Sequence, residues 1–348
     1  MFCFRLLTIS AVFIAVPAMA QTSLKVPARE LPVPTTVSPQ MQKLIGAPLN
    51  PEWVLKPATG EEWKLISDAR VEAAKKRLPV LAERMKVTIE KSMMGGVKVY
   101  IITPQTIAAK NRDHVLINLH GGCYVLNPQE AALPEAVMMA GFSGIKVIAV
   151  DYRIPPEAYY PAALDDGMAV WKELLKTVKP ENIGIFGTSA GGGLTLAMML
   201  QAKTDNIPMP AVIAPGSPMS DATGTGDSFY TNAMVDNVFV SSDGFCDAGT
   251  RVYANGHDLS DPLLSPVYGD MTGFPPAILT TGTRDLLLSN TVRVHRKLRQ
   301  AGIDAALHVY EGQSHGLYLR DETAPETKEV FAEITAFFNR YLGQKKSD

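Results

Sequence analysis

A serine stands within a run of glycines near the middle of the chain. The stretch GIFGTSAGGGLTLA contains the pattern G-x-S-x-G, with Ser189 between Gly187 and Gly191. An apolar, strand-like segment precedes this pattern and a helix-like segment follows it. In that context the serine is expected at a sharp strand-to-helix turn, where its hydroxyl group lies above a sheet. The pattern predicts a nucleophilic serine, and an ordinary glycine turn is the alternative.

A serine hydroxyl is a poor nucleophile until a base removes its proton. Of the six histidines in the chain, His315 follows the last strand-like segment and lies in the glycine-containing loop EGQSHGLY. His308 lies inside that segment, and His295 lies on a helical segment. His257 is the second choice. We therefore predict that His315 is the base.

A carboxylate must orient the imidazole ring and stabilise its protonated form. Asp285 follows the strand-like run AILTTG, whereas Asp261 and Asp270 precede it and are expected to shape turns. The alternative for Asp285 is a helix cap. The sequence predicts that Ser189, Asp285 and His315 act together as a catalytic triad.

Acyl transfer also needs hydrogen-bond donors for the oxyanion that develops on the substrate carbonyl. The segment HGGCY ends the strand-like run VLINL and is rich in accessible amide groups. It resembles the HGGG-type oxyanion loop. We predict donors from the amides of Gly121, Gly122, Cys123 and Ala190, whereas His120 is expected to hold the loop.

Strand-like and helical segments alternate along most of the chain, which indicates a mostly parallel sheet that helices cover on both faces. Residues 86–104 predict a hairpin that turns at Gly95 and Gly96. Two regions interrupt this alternation. Residues 21–90 contain an extended lead-in and helices, and residues 216–260 form a long excursion between two strands. We expect both to form a cap over a catalytic domain that spans residues 91–348.

The first twenty residues are typical of an export signal. A single early cation, Arg5, precedes a short apolar stretch that ends in Ala18-Met19-Ala20. Cleavage after Ala20 would place the mature chain in the periplasm or outside the cell, whereas a buried N-terminal helix is the alternative. Cys123 and Cys246 then remain, and their pairing stays open.

The composition argues against several kinds of partner. The chain has 348 residues, 46% of them hydrophobic, and a formal net charge of −2 without a basic block. No nucleic-acid partner, no metal or organic cofactor, and no stable membrane insertion after signal removal are expected.

Several segments together resemble the bacterial hormone-sensitive-lipase-like (family IV) serine esterases. The matching segments are HGGCY, DYRIPPEAYYPAALDD, GTSAGG, SDPLLSPVYGDMTGFPPAILTTGTRD and SHGLY. The resemblance implies an α/β-hydrolase fold with a helical cap, and it implies the same triad and oxyanion donors. Thr188 matches the GTSAG branch of the family. Cys123 departs from the pattern, because it stands where the third glycine of HGGG is usual.

The resemblance implies a carboxylesterase that acts on small-molecule esters with short to medium acyl chains. The alternatives are a lactone, carbamate, amide or polymer ester as substrate, and, more remotely, a binding protein on a hydrolase scaffold. The residue types of Tyr124, Met93, Met94 and Tyr230 make them candidates for the substrate pocket, although such residues are just as often core residues.

Overall fold

Eight strands pair into one sheet in the computed structural model, which describes residues 23–344. The strands are β1 (Val87–Met94), β2 (Val97–Pro104), β3 (Val115–Leu119), β4 (Lys146–Val150), β5 (Ile183–Thr188), β6 (Val212–Gly216), β7 (Ala277–Gly282) and β8 (Ala305–Tyr310). Their order across the sheet is β1-β2-β4-β3-β5-β6-β7-β8. The hairpin β1–β2 and the pair β2–β4 are antiparallel, and all other pairs are parallel.

Helices cover both faces of this sheet, as the apolar strand segments predict. The helices are α1 (Pro39–Ile45), α2 (Gly60–Met85), α3 (Pro134–Ser143), α4 (Ala162–Leu174), α5 (Ala190–Thr204), α6 (Ser228–Thr231), α7 (Phe245–Ala254), α8 (Leu288–Gln300) and α9 (Pro325–Tyr341). One hydrophobic core packs α4, α5, α7 and α8 against the sheet. The other packs α3 and α9 against the opposite face. The predicted fold class is therefore confirmed.

The N-terminal helices begin at well-defined caps. Ser38 caps α1 by accepting a hydrogen bond from the amide of Met41. Thr59 and Glu62 form a reciprocal capping box at the start of α2. Trp63, on the first turn of α2, is almost completely buried in the first of the two cores. Trp63 therefore joins the region before the sheet to the core beside the sheet.

Residues 23–32 are an exposed segment without regular secondary structure, whereas the chain from Val33 onward packs as a unit of its own. The export signal expected in residues 1–20 lies outside the described residues. No helix within residues 23–344 has an apolar stretch long enough to span a bilayer.

Candidate active site

Ser189 lies at the junction of β5 and α5, where the chain turns sharply. Its backbone φ of 66° is in the left-handed region, which is costly for a residue with a side chain. Two backbone hydrogen bonds hold the turn, from the Ser189 amide to Gly216 and from the Met219 amide to Ser189, each 2.9 Å long. A Cβ atom at Gly187 or Gly191 would lie 2.1 Å or 1.8 Å from the carbonyl oxygen of Leu119. Only glycine fits at these two positions of the G-x-S-x-G pattern.

The structure brings His315 and Asp285 together next to this turn. Nδ1 of His315 lies 3.1 Å from Oδ1 of Asp285, so Nδ1 is assigned the proton and Nε2 is left to act as a base. Ser189 and His315 line the same cavity. Oγ of Ser189 has no hydrogen-bond partner among the described residues, which is common before substrate tightens a catalytic site.

Asp285 is completely buried at the end of β7 and accepts several hydrogen bonds. Its donors, besides His315, are the Ser217 hydroxyl, the Thr281 hydroxyl at 3.1 Å and the Leu287 amide at 2.7 Å. Burial alone would raise the pKa of Asp285. The charge of His315 and these hydrogen bonds outweigh burial and hold the pKa below its ordinary value. Asp285 is therefore ionised at neutral pH and can stabilise a protonated His315.

A second buried carboxylate, Asp236, connects the loops that carry the acid and the base. Its Oδ2 accepts hydrogen bonds from the amides of Leu286 at 2.9 Å and His315 at 3.3 Å. Burial, together with the nearby charge of Asp285, raises the pKa of Asp236. Phe239, three residues on, stacks on the His315 ring with the ring centroids 4.0 Å apart. No sequence motif marks Asp236 or Phe239 within residues 216–260, so neither residue was predicted.

The predicted oxyanion loop has an unusual backbone. Gly122, Cys123 and Tyr124 all have positive φ, at 135°, 53° and 61°. The amides of Gly121, Gly122, Cys123 and Ala190 donate to no described residue. Gly121, Gly122 and Cys123 also line the cavity in front of Ser189. Gly121 packs directly against the nucleophile turn, since a Cβ atom there would lie 3.2 Å from that of Ser189.

Cys123 is joined to Cys246 by a disulfide, which resolves the pairing that the sequence left open. The bond connects the oxyanion loop to α7 in the excursion. Cys123 adopts the positive φ that the usual glycine would adopt at less cost. The disulfide therefore fixes the backbone at a position where a side chain is unfavourable.

His120 has the structural role that the sequence predicts. Its Nδ1 donates to the carbonyl oxygen of Gly121 at 2.9 Å, and its ring stacks on Tyr152 with a centroid distance of 4.0 Å. Burial lowers the pKa of His120 to about 4, so the ring is neutral at pH 7. His120 thus holds the oxyanion loop without carrying a charge.

A half-buried carboxylate also contacts the residue that precedes Ser189. Glu135, at the start of α3, accepts a hydrogen bond of 2.6 Å from the Thr188 hydroxyl. That hydroxyl also lies 2.7 Å from the hydroxyl of Tyr318. Burial raises the pKa of Glu135 to about 7, although the hydrogen bonds from Thr188 and Asn118 act in the opposite direction.

A cavity of about 1200 Å³ opens in front of Ser189. Its apolar wall comes from α1, α2, the loop after β3, the excursion and the segment after His315, which is consistent with a cap over the site. The apolar side chains include Leu44, Leu78, Leu81, Leu126, Phe239 and Leu317. No three His, Cys, Asp or Glu side chains within residues 23–344 form a cluster that could hold a metal ion.

The structure does not place the four predicted pocket residues in this cavity. Met93 and Tyr230 are 60% and 79% exposed, on β1 and α6. Tyr124 is buried and stacks on Tyr253 in the core, and Met94 packs against the same core. The prediction is corrected because strand pairing and core packing, rather than residue type, decide where these side chains lie.

The other candidate histidines and aspartates lie outside the cavity wall. His308 contacts Glu333, and His295 contacts the carbonyl oxygen of Ala305 on β8. His257 packs edge-on against Tyr160. Asp261 and Asp270 accept hydrogen bonds from amides two residues ahead and shape turns, as predicted.

The sheet order, the nucleophile turn and the Asp–His pair define an α/β-hydrolase. The alpha/beta hydrolase fold family matches residues 116–319, and the chain belongs to this family. An esterase from Acinetobacter venetianus is 30% identical over 253 residues, which cover 72% of this chain and 82% of that protein.

Solved structures narrow the class further. The crystal structure of esterase E25 has a TM-score of 0.87 and 40% identity, and the match covers 92% of this chain and all of that chain. An esterase of the bacterial hormone-sensitive lipase family has a TM-score of 0.69 and 28% identity, over 79% of this chain and 98% of the other. The protein is a carboxylic ester hydrolase of the hormone-sensitive-lipase-like family IV.

Proposed function

We propose that the protein is an exported serine carboxylesterase that hydrolyses short- to medium-chain esters through an acyl-enzyme intermediate. Ser189 attacks the ester carbonyl while Nε2 of His315 accepts its proton, and Asp285 stabilises the imidazolium ion. The amides of Gly121, Gly122, Cys123 and Ala190 donate to the oxyanion. His315 then protonates the leaving alcohol, and a water molecule activated by the same ring releases the acid. The contact between His315 and Asp285 beside the Ser189 turn is the observation that carries this proposal.

Export is supported by the N-terminal sequence and by the disulfide. Disulfides persist in oxidising compartments such as the bacterial periplasm and are rare in the cytosol. A bond between Cys123 and Cys246 therefore fits a chain that leaves the cytosol. The sequence GTSAG around Ser189 supports membership of the GTSAG branch of the family.

Replacement of the nucleophile tests the mechanism. We expect Ser189→Ala to lower kcat for p-nitrophenyl butyrate by at least about 10⁴-fold, because no other group then forms the acyl-enzyme. A fluorophosphonate probe should label the wild type and fail to label the variant. Ser260→Ala, at an exposed position, is the matched control. An active Ser189→Ala variant would rule out the proposed mechanism.

Substrate preference is tested with p-nitrophenyl esters of increasing acyl length and with lactones of similar size. We expect kcat/KM to be highest for short to medium acyl chains. Faster turnover of the lactones would favour the alternative substrate class, which the same triad could serve.

A further inference from the structure

Charged side chains are unevenly distributed around the cavity in front of Ser189. The wall contains five cationic residues, Arg70, Lys76, Arg77, Arg84 and Arg320, and three carboxylates, Glu52, Glu135 and Glu322. The chain as a whole has a net charge of −2. The excess of positive charge is therefore a local property of this cavity.

Two of the cations are neutralised by carboxylates in the same wall. Arg70 pairs with Glu52, and Arg84 lies 2.6 Å from Glu322. The remaining carboxylate, Glu135, contacts Thr188 and Asn118 instead of a cation. The positive charge that remains comes from the other three cations.

Arg77 and Arg320 are the two arginines among the three cations that have no carboxylate partner. Neither side chain, nor that of Lys76, forms an ion pair or hydrogen bond with any residue in the described part of the chain. An arginine normally directs its five N–H donors towards carboxylates or carbonyl groups. Here the donors of Arg77 and Arg320 are left available to a molecule in the cavity.

Arg320 lines the same cavity as His315. It directly follows the short 3-10 helix Leu317–Leu319, five positions after His315. Arg320 is exposed to solvent and lines the cavity. Desolvation by the neighbouring protein lowers the pKa of Arg320, and so do the charges of Arg70 and Arg77, while Asp236 and Glu52 act in the opposite direction.

Arg77 and Arg320 both line the cavity, and the positive charge of Arg77 acts unfavourably on Arg320. Repulsion between these like charges is an energetic cost to the free enzyme. A bound anion would relieve that repulsion, and guanidinium groups match the geometry of carboxylate oxygens.

We propose that Arg320 and Arg77 form a subsite for a carboxylate group of the substrate. The preferred substrates are then esters that also carry a free carboxylate, on either the acyl or the alcohol part. This inference rests on the proposed esterase function and adds the chemical class of the substrate. The apolar wall around the subsite would contact the carbon chain between the carboxylate and the scissile ester.

Matched pairs of substrates test the proposal. On the acyl side, mono-p-nitrophenyl esters of dicarboxylic acids with four to eight carbons are compared with their methyl-capped forms by nitrophenolate release. On the alcohol side, 4-acetoxybutanoate is compared with its methyl ester by acetate release. We expect kcat/KM to favour the acid over its neutral partner by at least about tenfold in one of the two arms. We also expect this preference to fall as sodium chloride is added.

Variants show whether the preference comes from the subsite. Arg320→Gln and Arg77→Gln should each lower the ratio of kcat/KM for the acid to that for its neutral partner by at least about fivefold. The charge-conserving Arg320→Lys should retain part of it. Arg299→Gln also removes one positive charge, but at an exposed position outside the cavity wall. This variant should leave the ratio at its wild-type value. Any effect that a variant has equally on both substrates cancels in this ratio of the two kcat/KM values.

Equal rates for acid and neutral esters in both arms of the wild type would overturn the subsite. So would an unchanged ratio in both Arg320→Gln and Arg77→Gln. A failure of the esterase proposal is distinguishable, because the wild type would then hydrolyse neither member of any pair, or Ser189→Ala would remain active.

Discussion

The half-buried carboxyl group of Glu135 contacts the turn that carries Ser189, and its protonation affects the stability of the fold. Its carboxyl group accepts a hydrogen bond from Thr188, the residue before Ser189. The pKa of Glu135 is about 4.5 in the unfolded chain and about 7 in the folded protein. Between these two values the folded protein keeps a proton at Glu135 that the unfolded chain has lost. The contribution of this proton to the free energy of unfolding is therefore fully present below about pH 4.5 and is lost as the pH rises through 7.

We expect Glu135→Gln to remove this pH dependence. The free energy of unfolding of the variant, relative to the wild type, should rise by about 1–2 kcal/mol between about pH 5 and pH 8, because water in the cavity screens part of the carboxyl group. Urea denaturation at the two pH values measures the difference. Glu83→Gln, at an exposed position on α2, should follow the wild-type pH profile. Parallel profiles for Glu135→Gln and the wild type would contradict the prediction.

The meeting of Asp285 and His315 beside Ser189 was predictable from the sequence, because each of the three residues follows a recognisable strand in a fixed chain order. Asp236 was not, because its role depends on accepting hydrogen bonds from amides 50 and 79 residues further along the chain. The prediction that Met93 lies in the substrate pocket failed for a related reason. The side-chain face of an edge strand depends on its pairing with β2, which residue type does not reveal.

At the scale of elements, the disulfide joins two regions that the fold brings together from distant parts of the sequence. Cys123 lies in the oxyanion loop and Cys246 on α7, separated by 123 positions. Sequence alone could not establish this pairing, because two distant cysteines carry no information on their separation in space. The strands β3–β8, by contrast, follow from short apolar runs, since nearly all residues of the central strands are buried.

Loss of this link should affect both stability and catalysis. We expect Cys246→Ser to lower the free energy of unfolding by about 2–5 kcal/mol, because the closed loop is long. It should also lower kcat for p-nitrophenyl butyrate, since Cys123 would no longer be fixed beside the other oxyanion donors. Thermal unfolding and initial rates measure the two effects.

A reductant provides the control for this experiment. Dithiothreitol should lower the Tm of the wild type towards that of Cys246→Ser and leave the variant itself unchanged. If the variant and the untreated wild type unfold at the same temperature, the disulfide does not contribute as we expect.

At the scale of the whole molecule, the region before the sheet contributes both to the cavity and to the stability of the unit. Met41 and Ile45 of α1 are buried against Leu317 and Ala324, which follow His315 in the chain. The amide and hydroxyl of Ser38 each donate a hydrogen bond of 2.6 Å to Glu326 at the start of α9. Residues 23–32 have no comparable regular structure.

Truncations should distinguish these two segments. We expect a chain that begins at Thr59 to have a Tm lower by about 5–10 °C, because the burial of Met41 and Ile45 and one wall of the cavity are lost. Its KM for p-nitrophenyl butyrate should rise for the same reason. A chain that begins at Val33, produced with the same leader, should retain the wild-type Tm and KM. Equal Tm values for the two truncations would show that α1 does not stabilise the unit.

The bonds that Asp236 accepts have a consequence for the redesign of this enzyme. One carboxylate in the excursion binds the amide after Asp285 and the amide of His315 itself. The same segment contributes Phe239 to the wall that faces the substrate. If this loop is replaced by that of a relative to alter selectivity, the positions of Asp285 and His315 will therefore change as well. We expect libraries that randomise this region to yield active variants only where residue 236 still accepts both hydrogen bonds. Substrate selectivity and turnover therefore cannot be changed independently of each other in this region.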